Sequence, residues 1–309
     1  MKRNVIHTGD ATETLQELPA ESVNMVMTSP PYWNLRDYGV DGQLGREETA
    51  EAFVDNLADV FDEVKRVLRP DGSLWLNLGD TYDDKDLQQI PARVALELQD
   101  RGWILRNRVT WTKPNPMPQS VKDRLNDTTE AVFHFVKNKS YWYDLDAVRE
   151  PHAKSTRERM GKGYKNTNED SQWTNDSDPG SHNNGGIKDP SRNFDDDQHP
   201  KGKNPGDIFN VSLKPFPEAH FAVYPPELVE KPIKATCPPD GIVLDPFAGA
   251  GTTLLKAKEL GREYVGIELN PEYADMARAR VGLSPHDPSN VRNDDDQHGL
   301  EAYADGGEP

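Results

Sequence analysis

The sequence predicts an α/β fold in which an open sheet is covered by helices on both faces. Three observations predict it. Short apolar runs alternate along the chain with amphipathic helical stretches. A buried run, Val23 to Met27, is cut off by two consecutive prolines. A second run, Val243 to Leu244, passes directly into a Gly-containing turn and a helix start. At 309 residues the chain can hold one large α/β domain and a smaller inserted module, or two modest domains.

Taken in order, the elements begin with a strand at Val5 to His7, a helix at Ala11 to Leu18 and the buried strand at Val23 to Met27. Phe53, Leu57, Val60, Phe61, Val64 and Leu68 recur at helical spacing, and Arg69-Pro70-Asp71-Gly72 stops that helix before a strand at Ser73 to Leu78. A helix at Ile90 to Gln99 and strands at Ile104 to Thr112 and Ala131 to Val136 continue the alternation. From about 140 to 206 the pattern dissolves into polar, Gly- and Asn-rich sequence, an insertion or loop-rich module. Regular structure returns with a helix at Pro226 to Ala235, a strand at Ile242 to Leu244, a helix at Thr252 to Leu260, a strand at Tyr264 to Ile267 and a helix at Pro271 to Val281. Residues 284–309 read as a disordered acidic tail.

The formal net charge of -17 is unfavourable for binding a polyanion, but it is unevenly spread. Between Arg106 and Lys165 there are 13 Lys and Arg against 7 Asp and Glu, so the acid excess lies elsewhere. Runs such as Asp195-Asp196-Asp197 and Asp294-Asp295-Asp296 suggest the hydrated acidic surface of a protein from a high-salt cytoplasm; an acidic mesophilic protein with disordered tails is the plainer alternative. The single cysteine, Cys237, excludes an intramolecular disulfide framework and any multi-cysteine zinc site, and fits a cytoplasmic location. With no stretch of 18 apolar residues and no signal-like start, a membrane role is not expected. The eight histidines show no ligand-like spacing, so no metal is expected.

The first chemical signal is Asp245-Pro246-Phe247-Ala248-Gly249-Ala250-Gly251-Thr252-Thr253. Its small residues allow the main chain to approach a ligand, and the helix N-terminus offers free N–H donors. Taken alone, such a turn is only a sharp strand-to-helix connection. Nineteen residues after Gly249, however, Glu268 ends the next strand, where an acid grips ribose hydroxyls in nucleotide-binding sheets. No Gly-Lys-Ser/Thr follows, which disfavours a phosphate-binding loop.

The second is Thr28-Ser29-Pro30-Pro31-Tyr32. A conjugated exocyclic amino nitrogen is a poor nucleophile. An enzyme acting on it must draw the amino hydrogens into hydrogen bonds, and a side-chain oxygen and a backbone carbonyl held rigid by prolines can do so. Ser29 Oγ and the Pro30 carbonyl suit those roles, with Tyr32 stacking on a base rotated out of the duplex. Alternatively, Pro30 and Pro31 simply end a strand and Tyr32 packs.

Together these motifs resemble the beta group of amino DNA methyltransferases, over roughly residues 4–136 and 207–282. The run from Asp245 to Thr253 looks like that family's S-adenosylmethionine motif. Ser-Pro-Pro-Tyr resembles the tetrapeptide of N4-cytosine enzymes, whereas Asp-Pro-Pro-Tyr or Asn-Pro-Pro-Tyr is typical of N6-adenine enzymes. The resemblance implies a doubly wound, seven-stranded, Rossmann-like methyltransferase sheet, circularly permuted so that the strands at Val243 and Tyr264 lie beside those at Val5 and Val23. It also implies that Asp10 contacts the cofactor's adenine, although Asp10 equally suits a helix cap, and that Phe221 and Tyr224 help enclose the methionine end.

The implied organisation is a catalytic half over 1–139, a target-recognition insertion over 140–206, partly disordered, a cofactor half over 207–283 and the acidic tail. Within the insertion Lys154, Arg157, Arg159, Lys162 and Lys165 are expected to hold DNA, as is Lys113, whose segment Trp111 to Pro116 resembles a loop near the target base in relatives; a solvated flexible loop is the bland alternative for the insertion. The leading reading is transfer of a methyl group from S-adenosylmethionine to cytosine N4 in double-stranded DNA. N6-adenine methylation and a non-catalytic DNA-binding protein of the same fold are the alternatives. Resemblance to unpaired methyltransferases of halophilic archaea implies a short palindromic target such as CTAG, while a cognate restriction endonuclease is the alternative that leaves the chain with a partner.

Overall fold

The computed structural model describes residues 1–37, 39–154, 199–214 and 223–284. The chain divides into two compact units, one formed by residues 1–144 and those from 207 onward, the other by 145–206. In the first unit the elements run β1 (Val5–Thr8), α1 (Ala11–Glu17), β2 (Val23–Thr28), α2 (Ala50–Val67), β3 (Leu68–Leu78), a small hairpin of β4 (Tyr82–Asp83) and β5 (Asp86–Leu87), α3 (Ile90–Asp100), β6 (Ile104–Thr112) and β7 (Thr129–Val136). They continue with β8 (Ile208–Asn210), α4 (Pro226–Thr236), β9 (Ile242–Asp245), α5 (Thr252–Glu259), β10 (Glu263–Glu268) and α6 (Pro271–Val281).

The sheet order is β1-β10-β9-β2-β3-β7-β6-β8. The C-terminal strands β9 and β10 lie between the N-terminal β1 and β2. Every pairing is parallel except the two made by β7, so β7 alone runs against the rest. The sheet is mixed and mostly parallel, as expected, but it has eight strands rather than seven. The additional one, Ile208–Asn210, pairs with the otherwise open edge of β6, where unpaired N–H and C=O groups favour an added strand.

Three helices cover each face. α1, α2 and α3 bury Leu15, Phe53, Phe61 and Leu98 against Val26, Leu74 and Leu244. α4, α5 and α6 bury Ile233, Leu254 and Ala277 against Met25, Trp75 and Val243. These strands are apolar on both sides, which is why they read as continuous runs. Thr49 caps α2 by accepting from Ala52 N at 3.1 Å, and Lys65 and Arg66 occupy its last turn. The turn expected at 69–72 lies inside β3, whose register with β2 slips between Leu68 and Ser73. The sequence missed the polar start of β7 and the short strands β4, β5 and β8.

In the second unit Arg149 donates to Asp146 at 2.8 Å and to the Gly202 carbonyl at 2.9 Å, and Glu150 bridges Lys203. The Arg149 and Lys201 hydrogen bonds hold the Asp146 carboxyl down near 2. Residues 155–198, which carry Arg157, Arg159, Lys162 and Lys165, lie outside the described residues, as do Phe221 and the tail from 285. Lys154 is described and exposed.

Arg278 fastens the last helix to the first strand. It is 2% exposed and donates to the Ile6 carbonyl at 2.8 Å, to Thr8 Oγ1 at 2.7 Å and to Asp275 at 2.8 Å. Breaking a buried ion pair from one side costs about 3 kcal/mol or more. Arg278→Ala is therefore expected to lower the unfolding free energy by about 3 kcal/mol in urea titrations; a loss under about 1 kcal/mol would show that α6 is held by its apolar face alone.

Candidate functional site

Parallel strands deliver their carboxyl ends to one edge of a sheet, and ligands bind in the crevice where neighbouring connections leave to opposite faces. That point falls here between β9 and β2. The chain leaves β2 towards α2 on one face and β9 towards α5 on the other. At this edge lies a cavity of about 390 Å³, lined by Gly9 and Asp10 after β1, Ser29 to Tyr32 after β2, Pro246 to Ala250 after β9, and Glu268 to Asn270 at the end of β10.

The two halves of the site are joined directly. Thr28 Oγ1 donates to Asp245 Oδ1 at 2.7 Å across 217 residues of sequence. Asp245 is 1% exposed, and its carboxylate also receives Phe247 N at 3.1 Å and the Tyr224 hydroxyl at 3.2 Å. Burial pushes its pKa up while the Thr28 hydroxyl and the other donors pull it down. Tyr224 is tied to Thr253 as well, and burial raises its pKa strongly. Asp245, Gly251 and Thr253 do not line the cavity; they stand behind the loop and fix its shape. Gly251 has φ +76, and a Cβ there would lie 2.9 Å from that of Ala277, so α5 and α6 meet at this glycine.

Gly249 has φ +50 and open space where a Cβ would be, and its N–H donates to Glu268 Oε2 at 2.7 Å. Asn270 N donates to Glu268 Oε1 at 2.9 Å. Burial nevertheless pushes the Glu268 carboxyl up to about 7, against the pull of those backbone donors. Asp10 caps α1, accepting from Glu13 N at 3.0 Å, and it also lines the cavity.

On the opposite wall Pro30 and Pro31 carry no N–H, and so withhold the local donors that a serine oxygen commonly accepts from. Ser29 Oγ lies 3.1 Å from the Tyr32 hydroxyl and 3.3 Å from Asn77 Nδ2. Tyr32 donates to Glu130 Oε2 at 2.7 Å, Asn77 Nδ2 lies 2.7 Å from the Tyr32 hydroxyl and 2.8 Å from Glu130 Oε2, and Lys113 pairs with Glu130 Oε1. The Tyr32 ring lies against Gly79, where a Cβ would come within 2.5 Å of Cε2. Asn77 and Glu130 were missed in the sequence, as were Tyr273 and Met276, which also line the cavity. The available signals were faint: an Asn interrupting the apolar run before Leu78, and an acid just ahead of Ala131.

Lys113 is 17% exposed in its side chain and lies over the Trp111 ring, 5.0 Å from its centroid. It is part of the cavity wall rather than an open basic surface. Cys237 is fully buried away from the cavity, with its thiol pushed up to about 12 by burial. Among the described residues no group of acids, histidines and cysteine could hold a metal ion, and no helix is long and apolar enough to cross a membrane.

Residues 23–279 match the family model described as DNA methylase, of the N6/N4 type. The chain is 38% identical to the type II methyltransferase M.XycI of Xanthomonas campestris pv. cyanopsidis, over 91% of this chain and 88% of that protein. It is 37% identical to M.Cfr9I of Citrobacter freundii, over 88% and 86%. Among solved structures it superposes on the cytosine-N4-specific PvuII DNA methyltransferase with a TM-score of 0.65 at 22% identity, covering 91% of this chain and 86% of that one. A DNA modification methylase of Thermus thermophilus, TTHA0409, solved with S-adenosyl-L-methionine, gives 0.57 at 26% identity over 90% and 95%. With both strand-end loops joined around one cavity, the chain belongs to the N6/N4-type DNA methylase family and is an S-adenosylmethionine-dependent DNA methyltransferase.

Proposed function

We propose that the protein methylates the exocyclic N4 of cytosine in a short double-stranded DNA site. The observation that carries this reading is the joining of Ser29 to Tyr32 and the Pro246–Gly249 loop around one cavity through Thr28 and Asp245. The residues present fit the cofactor. Gly249 leaves open space for close backbone approach, Glu268 offers a buried carboxylate for ribose hydroxyls, and Asp10, Phe247 and Tyr224 complete that end of the cavity, with Phe221 proposed to join them. When bound, S-adenosylmethionine supplies an electrophilic methyl group.

The protein's own part is positional. Ser29 Oγ and the Pro30 carbonyl accept the two amino hydrogens, which turns the nitrogen lone pair out of conjugation, and Pro30 and Pro31 hold both acceptors still. Tyr32, backed by Gly79, offers a flat face to a base turned out of the duplex. Serine at the first position of the tetrapeptide favours cytosine over adenine. The basic residues of the 145–206 unit are proposed to hold the DNA, and the permuted chain order is proposed to be what brings the β9 and β10 loops beside β1 and β2. The acidic surface is proposed to be an adaptation to molar salt, and the type II relatives suggest a restriction endonuclease as partner.

Digestion of methylated DNA to nucleosides and mass spectrometry should yield N4-methylcytosine; N6-methyladenine as the sole product would overturn the cytosine assignment. Ser29→Ala and Tyr32→Ala should each abolish nearly all transfer while cofactor affinity, read by calorimetry, stays within about threefold. Retention of parental transfer would remove both residues from the chemistry.

Glu268 gives a pH dependence. Its carboxyl is raised from 4.5 to about 7, so folding carries no ionisation cost below about pH 4.5 and the full cost above about pH 7. The ionised form is the better acceptor for two ribose hydroxyls. Cofactor affinity should therefore rise about tenfold between pH 6 and pH 8, following the fraction ionised. In Glu268→Gln it should be weaker and flat over that range; a parental slope in the variant would assign the titration elsewhere.

A further inference from the structure

Glu130 is held at both oxygens. Lys113 sits on Oε1, while Oε2 receives the Tyr32 hydroxyl at 2.7 Å and Asn77 Nδ2 at 2.8 Å. The two members of the ion pair retain only 13% and 17% side-chain exposure, at the wall of the cavity that Ser29 also lines. We propose that Glu130 is a positioning residue that sets the direction of a hydroxyl chain running from Ser29 through Tyr32 to the Glu130 carboxylate, so that Ser29 Oγ meets the target amino group as an acceptor. This rests on the reading of Ser29 given above.

The direction follows from counting hydrogens. A carboxylate has none to give, so the phenol must spend its single hydrogen on Glu130 Oε2. Towards Ser29, 3.1 Å away, the phenol oxygen can then only accept. The Ser29 hydrogen turns to Tyr32, and the serine lone pairs are left facing the cavity. Asn77 is the one other donor within reach of Ser29 Oγ among the described residues, but its Nδ2 has two hydrogens and two nearer acceptors, Tyr32 at 2.7 Å and Glu130 at 2.8 Å, against 3.3 Å to Ser29. Lys113 supplies the counter-charge that makes a carboxylate tolerable at this depth.

If Glu130 becomes glutamine, its amide can present N–H to the phenol oxygen. The phenol hydrogen then turns on Ser29 and occupies a lone pair that the amino group needs. Tyr32→Phe removes the middle of the chain but keeps the ring and its seat on Gly79. Both changes act on one property of Ser29, so their effects must not multiply.

The test measures kcat and KM for cofactor and for unmethylated plasmid DNA in the full-length protein, for Glu130→Gln, Tyr32→Phe, their double variant and Ser29→Ala. Each single change is expected to lower kcat at least tenfold with both KM values within about twofold, and the double variant to be no slower than the slower single. Multiplying effects, or parental kcat in Glu130→Gln and Tyr32→Phe beside an inactive Ser29→Ala, would overturn the chain and leave the Ser29 assignment standing. Parental transfer by Ser29→Ala would overturn both.

Discussion

The site depends on one buried hydrogen bond, from the Thr28 hydroxyl to the Asp245 carboxylate. A carboxylate taken out of water is strongly unfavourable unless donors surround it. Those donors come from three separate stretches of chain: Thr28 at the end of β2, the backbone of Phe247 in the following turn, and Tyr224 ahead of α4. Each donor lowers the cost of burying Asp245, with Thr253 beside them, so the carboxylate couples their mutual positions. Ser29 follows Thr28, and Pro246 follows Asp245. The spacing between the wall that would hold the target base and the loop that would hold the cofactor is thereby set by two neighbouring side chains.

Much of the fold was legible because burial on both faces leaves a direct trace. The runs at Val23, Ser73, Ile242 and Tyr264 are strands at nearly the expected places, and α6 spans Pro271–Val281 as expected. Misses fall where packing, rather than local preference, creates the element. Ile208–Asn210 is a strand only because β6 presents an open edge, and only its central residue, Phe209, is buried. Pro70 and Gly72 sit within β3 because the chain loops out between two stretches of pairing with β2.

In the site, residues carried by a local motif were legible and those brought in by register were not. Gly249, Glu268 and Ser29 announce themselves through the turn, the strand end or the prolines beside them. Asp245, Gly251 and Thr253 were marked by the same motif, yet the side chains of Asp245 and Thr253 and the missing Cβ of Gly251 serve the loop's shape, a distinction that needs the neighbours Thr28, Ala277 and Tyr224. The sequence marks Lys113 only as part of a segment resembling a loop near the target base, and its pairing with Glu130 over Trp111 emerges from the fold.

The reversed strand explains why a carboxylate reaches the Tyr32 hydroxyl beside Ser29. In a wholly parallel sheet the residues at the cavity edge would all come from strand ends, where the chain is already turning away. β7 runs the other way, so its beginning lies at that edge, and Glu130 is its second residue. Leu78 pairs with Ala131, which sets Glu130 level with Gly79, where the Tyr32 ring is seated, and one alternation from Asn77 on the same face. Glu130 is paired on one side, to Trp111 of β6, and is followed by Ala131, which pairs with both β3 and β6. A group that must orient a hydroxyl within a few tenths of an ångström gains more from such an anchorage than from a loop. The reversal of β7 thus has a use beyond topology: it sets the Glu130 carboxylate in the cavity wall, within hydrogen-bond reach of the Tyr32 hydroxyl.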